Sequence, residues 1–152
     1  MTSCVIGVGN DLRGDDGAGL AVARSLAMTV DEDVRVIECE GEPVSLLDAW
    51  ADCSRAIVVD ATESGAAPGT IRRIAAHAGP LPPGLAGTST HLLSVADSVE
   101  LARALGRLPA STIVYGIEGE SFDTGAPLSE VVVAAVERVT VAIRRELESE
   151  PA

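Results

Sequence analysis

Residues 4–26, CVIGVGNDLRGDDGAGLAVARSL, decide how the chain is read. An unbroken apolar run at 4–8 meets a glycine turn, passes two adjacent carboxylates, Asp15 and Asp16, and enters a segment rich in Ala, Leu and Val. A run without polar alternation fits a strand covered on both faces, as in the parallel sheets of α/β folds. Three more such runs follow: VRVIEC at 34–39, AIVVD at 56–60 and STIVYGI at 111–117.

Helix-like segments separate the runs, at 16–26, from Pro43 through PVSLLDAWA, at 95–105 and from about 128 to 146. In the last, Val132, Val136, Val139 and Ile143 fall on a single apolar stripe. The alternation predicts an α/β three-layer sandwich in a single domain over 1–152, with a mostly parallel twisted sheet and helices on both faces. Residues 63–74, ESGAAPGTIRRI, add a punctuated turn and a short alternating strand, expected as an antiparallel edge. Residues 77–91, HAGPLPPGLAGTSTH, read as a loop, and a loop of that length is functional or mobile. The last few residues are expected to be disordered, and no repeat or interdomain linker interrupts the pattern.

With 47% hydrophobic residues among 152, the chain can build a sizeable core. Only Trp50, Tyr115 and Phe122 are aromatic, so small aliphatic side chains must supply the buried area. Eleven basic against 23 acidic residues give a net charge of −12, which argues against nucleic acid or an anionic membrane surface as a partner. Cys4, Cys39 and Cys53 are odd in number and lie in or beside apolar segments, so they read as reduced core thiols rather than disulfides or a zinc site. The start of the chain lacks a basic n-region and a long apolar h-region, and no apolar run approaches a membrane span. A cytoplasmic location is expected, with a monomer as the default for want of a long exposed apolar stripe.

The glycine turn, with Gly7, Gly9 and Gly14, is superficially like the G-x-G-x-x-G of dinucleotide sites, but the third glycine would have to stand at Leu12. Two carboxylates also occupy the place where a pyrophosphate needs bare N–H groups. Nucleotide binding is therefore disfavoured. Taken alone, Asp15 and Asp16 could cap and complement the helix start, and Asp60 could be a strand-end turn former. His91 could be a structural histidine at a helix start, and His77 reads as exposed loop. Open α/β sheets, however, bring residues beyond the carboxyl ends of neighbouring strands into one crevice. Asp16, Asp60 and His91 would there form an O,O,N set, sufficient for a labile divalent metal site. No Ser/His/Asp or Cys/His arrangement is readable, and three donors scattered over 75 positions form no diagnostic spacing of their own.

The ordered segments resemble one family across nearly the whole chain. GVGNDLRGDDGAG (7–19), IVVDATESGAAPGTI (57–71), STHLLSVADSVELARALG (89–106) and VYGIEGESFDTGAPLSEVV (114–132) are similar to the successive blocks of the hydrogenase maturation proteases. The resemblance implies a C-terminal endopeptidase that cuts an extension from the large-subunit precursor of a nickel–iron hydrogenase after nickel insertion. It places catalytic and metal-contacting roles on Asp16, Asp60 and His91. It also implies nickel supplied by the substrate, with another divalent ion able to act in vitro, and the precursor as partner. The resemblance departs at CEGEPVSL (39–46), where many members carry Gly-Gly-Thr, and in an aspartate at position 16 where some carry the longer glutamate. A nickel-sensing escort that binds the precursor without cutting it is the alternative, and a general peptidase acting on small peptides a third. On any of these readings the acidic surface could complement a basic patch on a partner, which salt would then weaken.

Overall fold

In the computed structural model, which describes residues 2–40, 42–82 and 95–149, strands and helices follow the order of the apolar runs. Strands β1 (Ser3–Val8), β2 (Val34–Cys39), β3 (Arg55–Thr62), β4 (Ile71–Ala75) and β5 (Ser111–Glu118) form one sheet in the order β2-β1-β3-β5-β4. All pairs are parallel except β4 with β5, so the segment after Gly69 is the antiparallel edge strand expected from its alternation. Helices α1 (Ala18–Ala27) and α4 (Glu130–Leu147) cover one face, while α2 (Pro43–Ala49) and α3 (Val95–Ala104) cover the other. The result is a three-layer, single-domain α/β fold.

Each core follows from strand alternation. Val5, Ile57, Val59, Ile113 and Ile117 point toward α1 and α4, where they meet the stripe of Val132, Val136, Val139 and Ile143, all buried. Cys4, Ile6, Val58 and Val114 point the other way, onto Leu46, Leu47, Trp50 and Val99. The strands β1, β3 and β5 are covered on both faces as their composition requires, whereas β2, at the edge, alternates between half-buried and exposed residues. The three cysteines form no disulfide; Cys4 and Cys53 are buried in the core, as expected, and Cys39 is half-buried. Among the described residues no helix is long and apolar enough to cross a membrane.

Small residues let α1 lie very close to the sheet. A Cβ on Gly19 would stand 2.3 Å from the Val59 carbonyl oxygen and 2.5 Å from that of Val8, both immobile backbone atoms. Gly19→Ala is therefore expected to cost about 3 kcal/mol by overpacking. The check is the midpoint of urea unfolding, and a midpoint equal to wild type would refute the close approach.

Two local expectations need correction. Helix α1 starts at Ala18 rather than at Asp16, because residues Gly14–Gly17 form a separate 3₁₀ turn in which Gly14 takes φ +57°, a conformation that excludes ordinary side chains. His77 is not exposed loop but half-buried in a second 3₁₀ turn, Ala76–Ala78, where its Nδ1 accepts the Thr112 N–H at 3.0 Å. That contact ties the end of β4 to β5. His91, most of the loop at 77–91, and the final residues 150–152 lie outside the described residues.

Candidate functional site

The chain leaves β1 toward β2 on one side, while β3 lies on the other, so the gap between the carboxyl ends of β1 and β3 is the topological switch point where open α/β sheets bind ligands. Beyond β1, Gly9 adopts φ +149° and donates its N–H to the Cys39 carbonyl at 3.1 Å. The chain then folds back so tightly that a Cβ on Gly9 would overlap the backbone oxygen of Asp16. This turn, rather than any phosphate, accounts for the glycine. Asp16, half-buried, is held by the Asn10 N–H, which donates to its Oδ2 at 3.1 Å, while Asn10 Oδ1 accepts the Leu12 N–H at 2.9 Å. In the sequence Asn10 is signalled only by its place in an Asx-type turn.

Asp60 comes from β3, opposite Gly116 of β5 in the register. Desolvation, and then the nearby negative charge of Asp16, push its pKa up to about 8, against the small opposing effect of the Ala61 backbone N–H. The sheet thus brings Asp16 and Asp60 together, 44 residues apart in the chain. A narrow cleft beside Asp60 is lined by Thr62, Leu81, Val95 and Gly116. Leu81 precedes, and Val95 follows, the segment that carries His91. Val95 stands four positions after His91, a chain reach of at most about 14 Å. His91 itself lies outside the described residues, and among those described no three His, Cys, Asp or Glu side chains converge as a metal site.

Asp15 serves a different end from its neighbour, and it does not cap the helix that follows. Fully buried, it turns away from α1 and accepts N–H bonds from Glu120 (2.8 Å), Ser121 (3.0 Å) and Ser129 (2.7 Å), and the Ser129 hydroxyl at 2.7 Å. Burial alone would raise its pKa, but the hydrogen bonds from Ser121, Ser129 and Glu120 outweigh it and hold the group below the ordinary carboxylate value. Asp15 therefore ties the turn carrying Asp16 to the chain after β5 and to the start of α4.

Glu118, the last residue of β5, plays the same part for β3. Its carboxylate accepts from Thr62 Oγ1 (2.9 Å), Ser64 Oγ (2.7 Å), Ser64 N–H (3.0 Å) and Gly65 N–H (3.3 Å), pinning the turn that follows the strand bearing Asp60. Burial raises its pKa, and the Ser64, Thr62 and Gly65 donors more than reverse that, so the net shift is downward. A depressed carboxyl stabilises the fold above its unfolded pKa, and that stabilisation disappears as pH falls through the folded value. Glu118→Gln is expected to cost about 2 kcal/mol at neutral pH, since an amide NH₂ would face N–H and O–H donors. The deficit should shrink as pH falls below the ordinary carboxylate range, which denaturant titrations at a series of pH values would measure. A deficit constant with pH would contradict the charge-based account.

Comparison with known proteins agrees with this architecture. The family model described as hydrogenase maturation protease matches residues 20–146. The hydrogenase expression/formation protein HoxM of Cupriavidus necator is 30% identical over 135 residues, covering 87% of this chain and 67% of that protein. The chain thus spans about two thirds of that relative's length. Among solved structures, the [NiFe] hydrogenase maturation protease HybD from Thermococcus kodakarensis has a TM-score of 0.72 and 27% identity, covering 98% of this chain and 100% of that one. The endopeptidase HycI from Escherichia coli has a TM-score of 0.72 and 26% identity, covering 93% of this chain and 88% of the other.

Proposed function

The chain belongs to the hydrogenase maturation protease family of endopeptidases, and from that premise we propose that it cuts a C-terminal extension from the large-subunit precursor of a nickel–iron hydrogenase once nickel is in place. The observation that carries this reading is the pairing of Asp16 and Asp60 at the switch point. Two carboxylates held together against their mutual repulsion, with both residues partly accessible, suit a cation better than they suit each other. His91 supplies the third donor on this proposal.

Nickel enters as part of the substrate. An oxygen-rich set of three donors binds a divalent ion only weakly, so the free enzyme would remain largely empty. Contact with nickel already seated in the precursor then makes cutting conditional on correct loading, and it positions the scissile bond at the crevice. The chain's own work is to hold Asp16 on the Asn10 turn and Asp60 on a rigid central strand, with a fixed separation that a loop alone would not maintain.

The test is intact-mass spectrometry of the nickel-loaded and nickel-free precursor after incubation with this protein. Loss of a C-terminal peptide from the loaded form alone supports the proposal. Stoichiometric binding with no mass change in either form would favour the escort reading, and cutting of unrelated peptides would favour a general peptidase.

A further inference from the structure

At the opposite end of the sheet from Asp60, five residues or about 17 Å back along β3, Arg55 opens a cavity of about 270 Å³. Arg55, Arg73 and Arg145 line it together with Ser111 and a single carboxylate, Glu146. Three guanidiniums against one carboxylate is an unusual concentration in a chain of net charge −12 with only 11 basic residues.

The polar groups there are only partly used. Arg55 is 6% exposed and forms no ion pair among the described residues; it donates to the backbone carbonyls of Ser149 and Glu146 at the end of α4. Burial depresses its pKa, against the pull of Glu146, with the charge of Arg73 a smaller contribution in the same direction as burial. Glu146 is already occupied, by Arg73 and by the Tyr115 hydroxyl. Arg145 is exposed and its guanidinium has no partner among the described residues. Ser111, also 6% exposed, lines the cavity with a hydroxyl that has no hydrogen-bond partner among the described residues. Among the described residues the Arg145 guanidinium and the Ser111 hydroxyl are thus open to an acceptor entering the cavity.

We propose that this cavity binds a small phosphate-class oxyanion, with Arg55, Arg145 and Ser111 as donors. A tetrahedral anion presents enough oxygens to engage an arginine fork and a hydroxyl together, which the lone Glu146 carboxylate does not. The cavity is large enough to admit either free phosphate or the phosphate of a small monoester. The site owes nothing to the Asp16 and Asp60 crevice and stands whether or not the protease reading holds.

Isothermal titration of the full chain at constant ionic strength, with inorganic phosphate and separately with phenyl phosphate, tests the proposal. Saturable binding below about 1 mM is expected, weakened at least fivefold by Arg145→Ala and by Ser111→Ala, and unchanged by Asp16→Asn. Tighter binding of phosphate assigns the free ion, and tighter binding of the ester assigns a phosphorylated small molecule. Arg145 is exposed, so its variant should melt like wild type and remains decisive should Ser111→Ala lose stability. Absence of saturable binding of either probe, or binding retained in Arg145→Ala, overturns the proposal.

Discussion

Asp60→Asn is expected to slow precursor processing by about a thousandfold or more while leaving the protein folded, and Asp16→Asn and His91→Ala should do the same. Asparagine keeps the shape of the side chain and removes the charge that a metal contact requires. At Asp60 it also removes a desolvated carboxylate standing beside another, so the melting temperature should hold or rise. This combination separates a functional site from a structural one: a carboxylate whose purpose is to bind within the fold loses stability when neutralised, as Glu118 should. Single-turnover processing of nickel-loaded precursor, followed by intact mass and paired with thermal melts, reads both quantities. Normal processing by any of the three variants would sink the shared-ligand account, and a large loss of stability in Asp60→Asn would recast that residue as part of the scaffold.

The parts of the fold that the sequence makes legible are those encoded locally. The runs of β1, β3 and β5 and the stripe on α4 are visible because apolar residues repeat at the period of the element that buries them. The edge position of β2 is hinted at only by Arg35 and Glu38 within its run, and strand order makes it plain. Asp16 and Asp60 could be placed in one crevice from the alternation of strands and helices alone, because the switch-point rule depends on topology and not on side-chain detail. The roles of Asp15, Glu118 and His77 escaped the sequence reading because their partners are distant in the chain: Ser129 lies 114 residues from Asp15, Ser64 lies 54 from Glu118, and Thr112 lies 35 from His77. No window along the chain contains both halves of those contacts. The limit is plainest at DDG, where two adjacent aspartates of the same chemistry turn in different directions.

Asp15→Ala should be the most destabilising of these substitutions, by about 4 kcal/mol, or roughly 12 °C in melting temperature for a chain of this size. Its carboxylate carries four hydrogen bonds in a site with no solvent exposure, and alanine would leave three N–H groups and a hydroxyl facing a void. A graded series distinguishes this from a generic core defect. Ser129→Ala removes one hydroxyl donor and leaves the other three bonds, so it should cost about 1 kcal/mol. Asp15→Asn offers one acceptor oxygen in place of two, and because Oδ2 takes three donors and Oδ1 one, its amide NH₂ must confront at least the Ser129 N–H. It should fall between the other two. Chemical denaturation of all three variants measures the order: Asp15→Ala and Ser129→Ala equal within error would mean that the hydroxyl contact alone matters, whereas the graded series would establish the carboxylate as the clamp joining the Asp16 turn to the segment after β5 and to α4.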